Sequence, residues 1–142
     1  MIILTITLWV GPAIINSNLG EIGFDQFRKS INRQIEGHLR SIEEDPLDAI
    51  EYFNLGLAYM AMGQHKEEVS SYLEAIRLDS NYAEAHFNLA MAYDIMRNGK
   101  AAIKYGKEAE VLYSKLRKHR QVRKVRRQLN IFHKKYKVIT KK

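Results

Sequence analysis

Residues 53–60 read FNLGLAYM and residues 87–94 read FNLAMAYD, so five of eight positions recur at an interval of 34 residues. A period of that size constrains a chain to stack like units side by side, because one unit alone cannot bury its apolar face. Residues 49–82 overlay residues 83–116 without a gap: Leu55 falls on Leu89, Gly56 on Ala90, Tyr59 on Tyr93, Ala75 on Ala109 and Leu78 on Leu112. Leu55, Gly56 and Tyr59 share one helix face, and a small residue beside a large one lets a neighbouring helix come close. Tyr72, Ala75 and Ile76 repeat that device in the second helix of the unit. Gly63 and the pair Asn98–Gly99 fall where each hairpin must turn. Asp45, Pro46 and Asp48 predict a helix start with Asp45 as the N-cap, and Asn81 followed by Glu84 predicts a second.

With these residues the chain resembles the tetratricopeptide repeat (TPR) family. Tyr52, Leu55, Gly56, Tyr59, Tyr72 and Ala75 carry the resemblance in the repeat 49–82, and Leu89, Ala90, Tyr93, Ala102 and Ala109 in the repeat 83–116. Three positions depart from it. Glu68 stands where the family has a small residue, His86 where it has a large apolar one, and Gly106 where it has an aromatic, with Tyr105 adjacent. The resemblance implies an all-α fold, a short helix-turn-helix solenoid whose concave face takes a segment of a partner protein. The lining it implies is Phe53, Asn54, Leu57 and Met60 from the first repeat and Phe87, Asn88, Met91, Asp94 and Ile95 from the second. Some members hold a C-terminal carboxylate through Lys and Arg on this face. Here only the two asparagines match, so no such clamp is expected. Most of these side chains are apolar, which suits an apolar or amphipathic segment from a partner or from the chain's own flanks.

Two repeats rarely stand alone, so the flanks must supply helices. Phe24, Phe27, Ile31, Ile35, Leu39 and Ile42 form one apolar stripe and predict a packing helix over 24–44, ahead of the repeats in a TPR-like domain 24–116. After Gly106 no glycine or proline occurs, and an apolar stripe runs through Leu116, Val122, Val125, Leu129, Phe132 and Tyr136. This predicts one long terminal helix over about 100–137, roughly 55 Å in length. Laid over a third repeat without a gap, residues 117–142 put Arg123, Lys124 and Arg127 where Leu, Gly and Tyr belong. The array is therefore expected to stop there and continue as a basic amphipathic helix.

The net charge of +7 hides a division: residues 1–114 hold ten Lys/Arg and all sixteen Asp/Glu, and residues 115–142 hold thirteen Lys/Arg and no acid. An acidic body thus carries a basic tail. Arg117, Lys118, Arg120, Arg123, Lys124, Arg126 and Arg127 give a basic surface suited to an acidic protein, to anionic lipid or to nucleic acid, or simply to a solvated cap. At the other end, residues 1–20 carry no charged side chain. Ile2, Ile3, Leu4, Leu8 and Trp9 read as a shallow membrane anchor, a signal segment or a packing segment. As a helix, residues 1–15 reach about 22 Å, short of the roughly 30 Å hydrocarbon core.

Several chemistries find no residues here. With no cysteine there is no disulfide, thiolate metal site or cysteine nucleophile. The five histidines, at 38, 65, 86, 119 and 133, include no i, i+4 pair. Glu43, Glu44 and Asp45 read as a helix end and Glu67–Glu68 as a surface pair, and no phosphate loop or serine nucleophile motif occurs. The expectation is no enzyme, no cofactor, no metal and no small-molecule substrate. What remains is a non-catalytic adaptor or scaffold in a membrane-associated complex, or alternatively a soluble adaptor or a nucleic-acid-associated protein using the basic helix.

Overall fold

The computed structural model describes residues 12–137, with side chains from residue 23 onward. Six helices follow one another: α1 (Pro12–Glu44), α2 (Ala49–Ala61), α3 (His65–Leu78), α4 (Ala83–Ile95), α5 (Gly99–Lys115) and α6 (His119–Lys135). Each packs on its neighbours in sequence, which makes an all-α helical solenoid. The two repeats are the hairpins α2–α3 and α4–α5.

The turns share one backbone solution. Gly63, Arg97 and Arg117 all take left-handed φ angles, of 69°, 58° and 53°. At each turn the next residue's N–H reaches back to a tyrosine carbonyl: Gln64 to Tyr59 at 3.0 Å, Asn98 to Tyr93 at 2.8 Å and Lys118 to Tyr113 at 3.0 Å. The second turn therefore strains Arg97, not Gly99. The third turn breaks the single helix expected over 100–137 into α5 and α6. A left-handed arginine costs about 1–2 kcal/mol. Folding α6 back buries Val122, Val125, Leu129 and Phe132, at about 1.5–3 kcal/mol for each such side chain. The return wins because a continuous helix would leave that stripe in water.

The helix starts also differ from expectation. Asp48, not Asp45, caps α2, its carboxylate accepting from Ile50 N–H at 2.8 Å and Glu51 N–H at 3.4 Å. Asp45 instead accepts from Leu47 N–H at 3.1 Å, an Asx turn that holds the chain around Pro46. Asn81 caps nothing; its own N–H donates to Asp79 at 2.9 Å and α4 begins without a side-chain cap.

The core is a line of close approaches at small residues. A Cβ added at Gly56 would lie 2.5 Å from the Tyr72 ring, and one at Gly106 would lie 2.8 Å from Leu129 Cδ2. Leu129 of α6 thus fills the volume where the family's aromatic would stand. Gly99 lies under the Tyr136 ring. One apolar cluster joins Val69, Tyr72, Leu89 and Ala92. The other joins Phe87, Ala90, Ala102, Ala109 and Tyr113 to Val122, Val125, Leu129 and Phe132 of α6. His86 sits buried in the large apolar position. Its Nε2–H donates to the Ser80 carbonyl and its Nδ1 meets the Glu108 carboxylate, both at 3.1 Å.

α1 starts at Pro12, well before residue 24, and its 33 residues span about 50 Å against about 20 Å for the 13 of α2. Its C-terminal part packs on α2: Ile31 is buried and His38 Nδ1 lies 2.7 Å from Glu51. The rest of the apolar stripe is only partly covered. Phe24 and Phe27 remain 61% and 46% exposed, beside Met60–His65 at the far end of α2.

Gly56 and Gly37 give opposite expectations for one methyl group. Gly56→Ala overpacks against Tyr72 and should lower unfolding free energy by about 1–3 kcal/mol. Gly37, in mid-α1 with open space around it, should gain about 0.5–1 kcal/mol on substitution by Ala. Urea unfolding of the three proteins compares them directly.

Candidate functional site

The face implied for partner binding is built by α2 and α4, the first helices of the two repeats, with α1 on one side and α6 on the other. On α2, Phe53 is half-buried, its ring 4.9 Å from Tyr82 and 5.7 Å from Tyr72 between centroids. Leu57 packs on the Tyr72 cluster while keeping part of its surface open. Met60 is 44% exposed at the end of α2, and Ile95 is 53% exposed at the end of α4. Asn54 and Asn88 occupy equivalent positions of the two helices and both are half-buried. Met91 packs partly against the α4–α6 cluster.

Two of the nine residues are engaged by charged or polar groups of α6 and its C-cap. Phe87 is 8% exposed, inside the cluster with Val122 and Val125, and the Lys124 ammonium lies 4.8 Å above its ring. Asp94 accepts from Lys135 Nζ and from the Tyr136 hydroxyl, each at 2.8 Å. The second-repeat end of the face is therefore partly occupied by α6, and the first-repeat end is more open.

The basic residues divide into two groups. Lys118 pairs with Glu84 at 3.2 Å, Arg126 with Glu110 at 2.6 Å and Lys135 with Asp94 at 2.8 Å. Arg120, Arg123, Lys124 and Arg127 instead line an open cleft of about 760 Å³ with Glu84 and Tyr113. The sequence placed no Lys or Arg beside the concave positions. What that reading left out is the turn at Arg117, because it treated residues 117–142 as a continuation of α5. The folded-back α6 runs alongside α4, with Lys118 near Glu84, Lys124 over Phe87 and Lys135 on Asp94, so its cations stand next to the face.

A buried polar group that sequence reasoning misplaced lies behind the face. Glu68 is 1% exposed, not a member of a surface pair, and its carboxylate lies 2.7 Å from His65 Nδ1. Burial pushes its carboxyl above the usual range, with the His65 hydrogen bond working the other way. Burial and the neighbouring Glu68 charge also raise the Tyr72 hydroxyl. That hydroxyl, near Asn88, has no hydrogen-bond partner among the described residues. The only available signal was the presence of an acid where the repeat pattern wants a small residue.

Among the described residues no cluster of three or more His, Asp or Glu side chains is placed to hold a metal ion, and no helix is long and apolar enough to cross a membrane. Ile2, Ile3, Leu4, Leu8 and Trp9 lie outside the described residues.

A sequence model described as TPR repeat matches residues 56–94. No curated protein matches the sequence. Among solved structures, PcrH in complex with the chaperone binding region of PopD is 17% identical with a TM-score of 0.72, covering 92% of this chain and 99% of that one. The Yersinia enterocolitica type III secretion translocator chaperone SycD is 18% identical with a TM-score of 0.72, covering 92% of each chain. The TPR2B domain of yeast Sti1 in its pHsp70 complex is 17% identical with a TM-score of 0.71, covering 82% of this chain and 91% of that one. At such identities the likeness carries the fold.

The buried Glu68 sets a pH dependence. Its carboxyl holds a proton more tightly folded than unfolded, so its contribution to stability is complete below the ordinary value of 4.5 and is lost as pH rises through the folded value. Compared with Glu68→Gln, the unsubstituted chain should lose stability as pH rises above about 4.5. Urea midpoints of both proteins across that range check the difference.

Proposed function

We propose that this chain, which carries tetratricopeptide repeats, is a non-catalytic adaptor that grips an extended or amphipathic segment of a partner protein along the α2–α4 face. The observation that supports this most is the repeated pairing of a half-buried amide with open apolar surface: Asn54 beside Leu57 and Met60, and Asn88 beside Met91 and Ile95. An asparagine amide presents a donor and an acceptor together, which matches the backbone of an extended segment. Two such amides at equivalent positions of the two repeats can hold one strand while the apolar side chains around them accept its alternate residues. PcrH was solved with a binding region of PopD, and the Sti1 TPR2B domain in a complex with pHsp70, which accords with partner-holding by this fold.

The absence of charge from residues 1–20 supports a second contact, in which that stretch touches a membrane or an apolar partner surface while the repeats hold the partner. Flotation of the chain with phosphatidylcholine vesicles, lost on deletion of residues 1–20, is the outcome expected for membrane contact. Flotation that persists without them assigns any lipid affinity to α6.

Selection of binding 16-residue peptides from a random display library, followed by affinity measurement on the full chain, tests the groove. Asn54→Ala with Asn88→Ala should weaken the selected peptides at least tenfold with the thermal midpoint little changed. Phe53→Ala should act differently, lowering the midpoint, because its ring supports Tyr72 and Tyr82. Selected peptides that bind the double variant as tightly as the parent would place partner binding elsewhere.

A further inference from the structure

The cleft beside α6 is the strongest unassigned feature of the molecule. Arg120, Arg123, Lys124 and Arg127 follow one another at i, i+3, i+4 and i+7, so they stand on one face of α6. Arg120, Arg123 and Arg127 have no carboxylate partner among the described residues, although α4 and α5 supply acids to other cations of the same helix. The one carboxylate on the cleft wall, Glu84, already pairs with Lys118. Four positive charges therefore surround an open volume of about 760 Å³ beside the α4 face, where Phe87 packs beneath Lys124.

Deepening the groove reading on which it rests, we infer that this cleft selects partner segments carrying a short run of Asp and Glu side chains next to the apolar residues held by α2 and α4. The dimensions match that chemistry. Arg120 to Arg127 spans about 10 Å of helix, and an extended chain covers that distance in about three residues. Arginine forks receive carboxylates in bidentate pairs, so each acid can be held with directional specificity. A nucleic acid strand fits less well. Strand binding relies on exposed rings for base stacking along a continuous cationic track. Here Tyr113 is buried, Phe87 lies under Lys124, and Lys118, Arg126 and Lys135 are already neutralised within the chain.

Fluorescence anisotropy on the full 142-residue chain tests this with four labelled probes. Two are amidated peptides sharing a Leu-x-Leu anchor, one followed by Glu-Asp-Glu and the other by Gln-Asn-Gln. The third is the Gln-Asn-Gln peptide with a free C-terminal carboxylate, and the fourth is an oligouridylate of matched length. The acidic amidated peptide should bind at least tenfold tighter than the neutral one in low salt, with the advantage shrinking as salt is raised. Arg123→Gln with Arg127→Gln should erase that advantage and leave the neutral peptide unchanged; circular dichroism confirms that the variant is folded.

Equal binding of the acidic and neutral amidated peptides overturns the inference. So does an advantage that appears only with the free C-terminal carboxylate, or oligouridylate that outcompetes the acidic peptide and loses its affinity in the same variant. If the neutral peptide does not bind at all while the acidic one binds and fails in the variant, the groove reading falls and the cleft stands. If the neutral peptide binds and fails with Asn54→Ala and Asn88→Ala, but acids add nothing, the cleft falls alone.

Discussion

Close approach of consecutive helices at small residues holds the array together. Tyr72 lies on Gly56, Leu129 on Gly106 and Tyr136 on Gly99, and in each case a side chain occupies the space of an absent Cβ. A glycine inside a helix costs roughly 0.5–1 kcal/mol, and Gly56 and Gly106 are both helical. The cost is offset because a ring or a leucine set directly on backbone makes many dispersion contacts at once. These contacts set α2 against α3 and α5 against α6, and packing of α3 on α4 links the two hairpins that carry Asn54 and Asn88.

The return of α6 follows from the same accounting. Its buried face, Val122, Val125, Leu129 and Phe132, closes the cluster begun by Phe87 and Ala90. The three ion pairs from α6 to α4 and α5 are surface pairs, worth about 0–1 kcal/mol each. They orient the helix more than they stabilise it. Apolar burial brings α6 back, and charge then decides which cations are satisfied within the chain and which stay available at the cleft.

The repeats were legible in the sequence because identical residues at a fixed interval report identical environments. Leu55 and Leu89 are both buried, and Ala75 and Ala109 are both fully covered. The end of the array was not legible, for a reason of register. Ungapped overlay set Arg123 and Arg127 on Leu89 and Tyr93, whereas the longer α5 delays α6 by two residues, so that Val125 and Leu129 fall there. Nothing local signals the break, since an arginine takes the left-handed turn that a glycine takes at position 63. The burial of Glu68 was hidden for a related reason: beside Glu67 it reads as solvated, and only the helix phase turns it inward. Among the nine concave positions, pattern could place the residues on the right helices but could not show that Phe87 and Asp94 would be engaged by α6, because that contact is made from residues more than thirty positions away.

This arrangement makes the two ends of the concave face unequal. Near α1 the lining is open and apolar, with Met60 exposed at the end of α2 and Phe24 and Phe27 beyond it. Near α6 the apolar surface is covered and cations take its place. A segment lying along the face would pass from an apolar environment into a cationic one, so its direction as well as its composition would matter. Reversing the order of apolar and acidic residues would set carboxylates against Leu57 and Met60, where desolvation is uncompensated, and apolar side chains against arginines. If the proposed groove and cleft act together, such a polarity would distinguish partners of the same composition, which a uniformly apolar groove could not do.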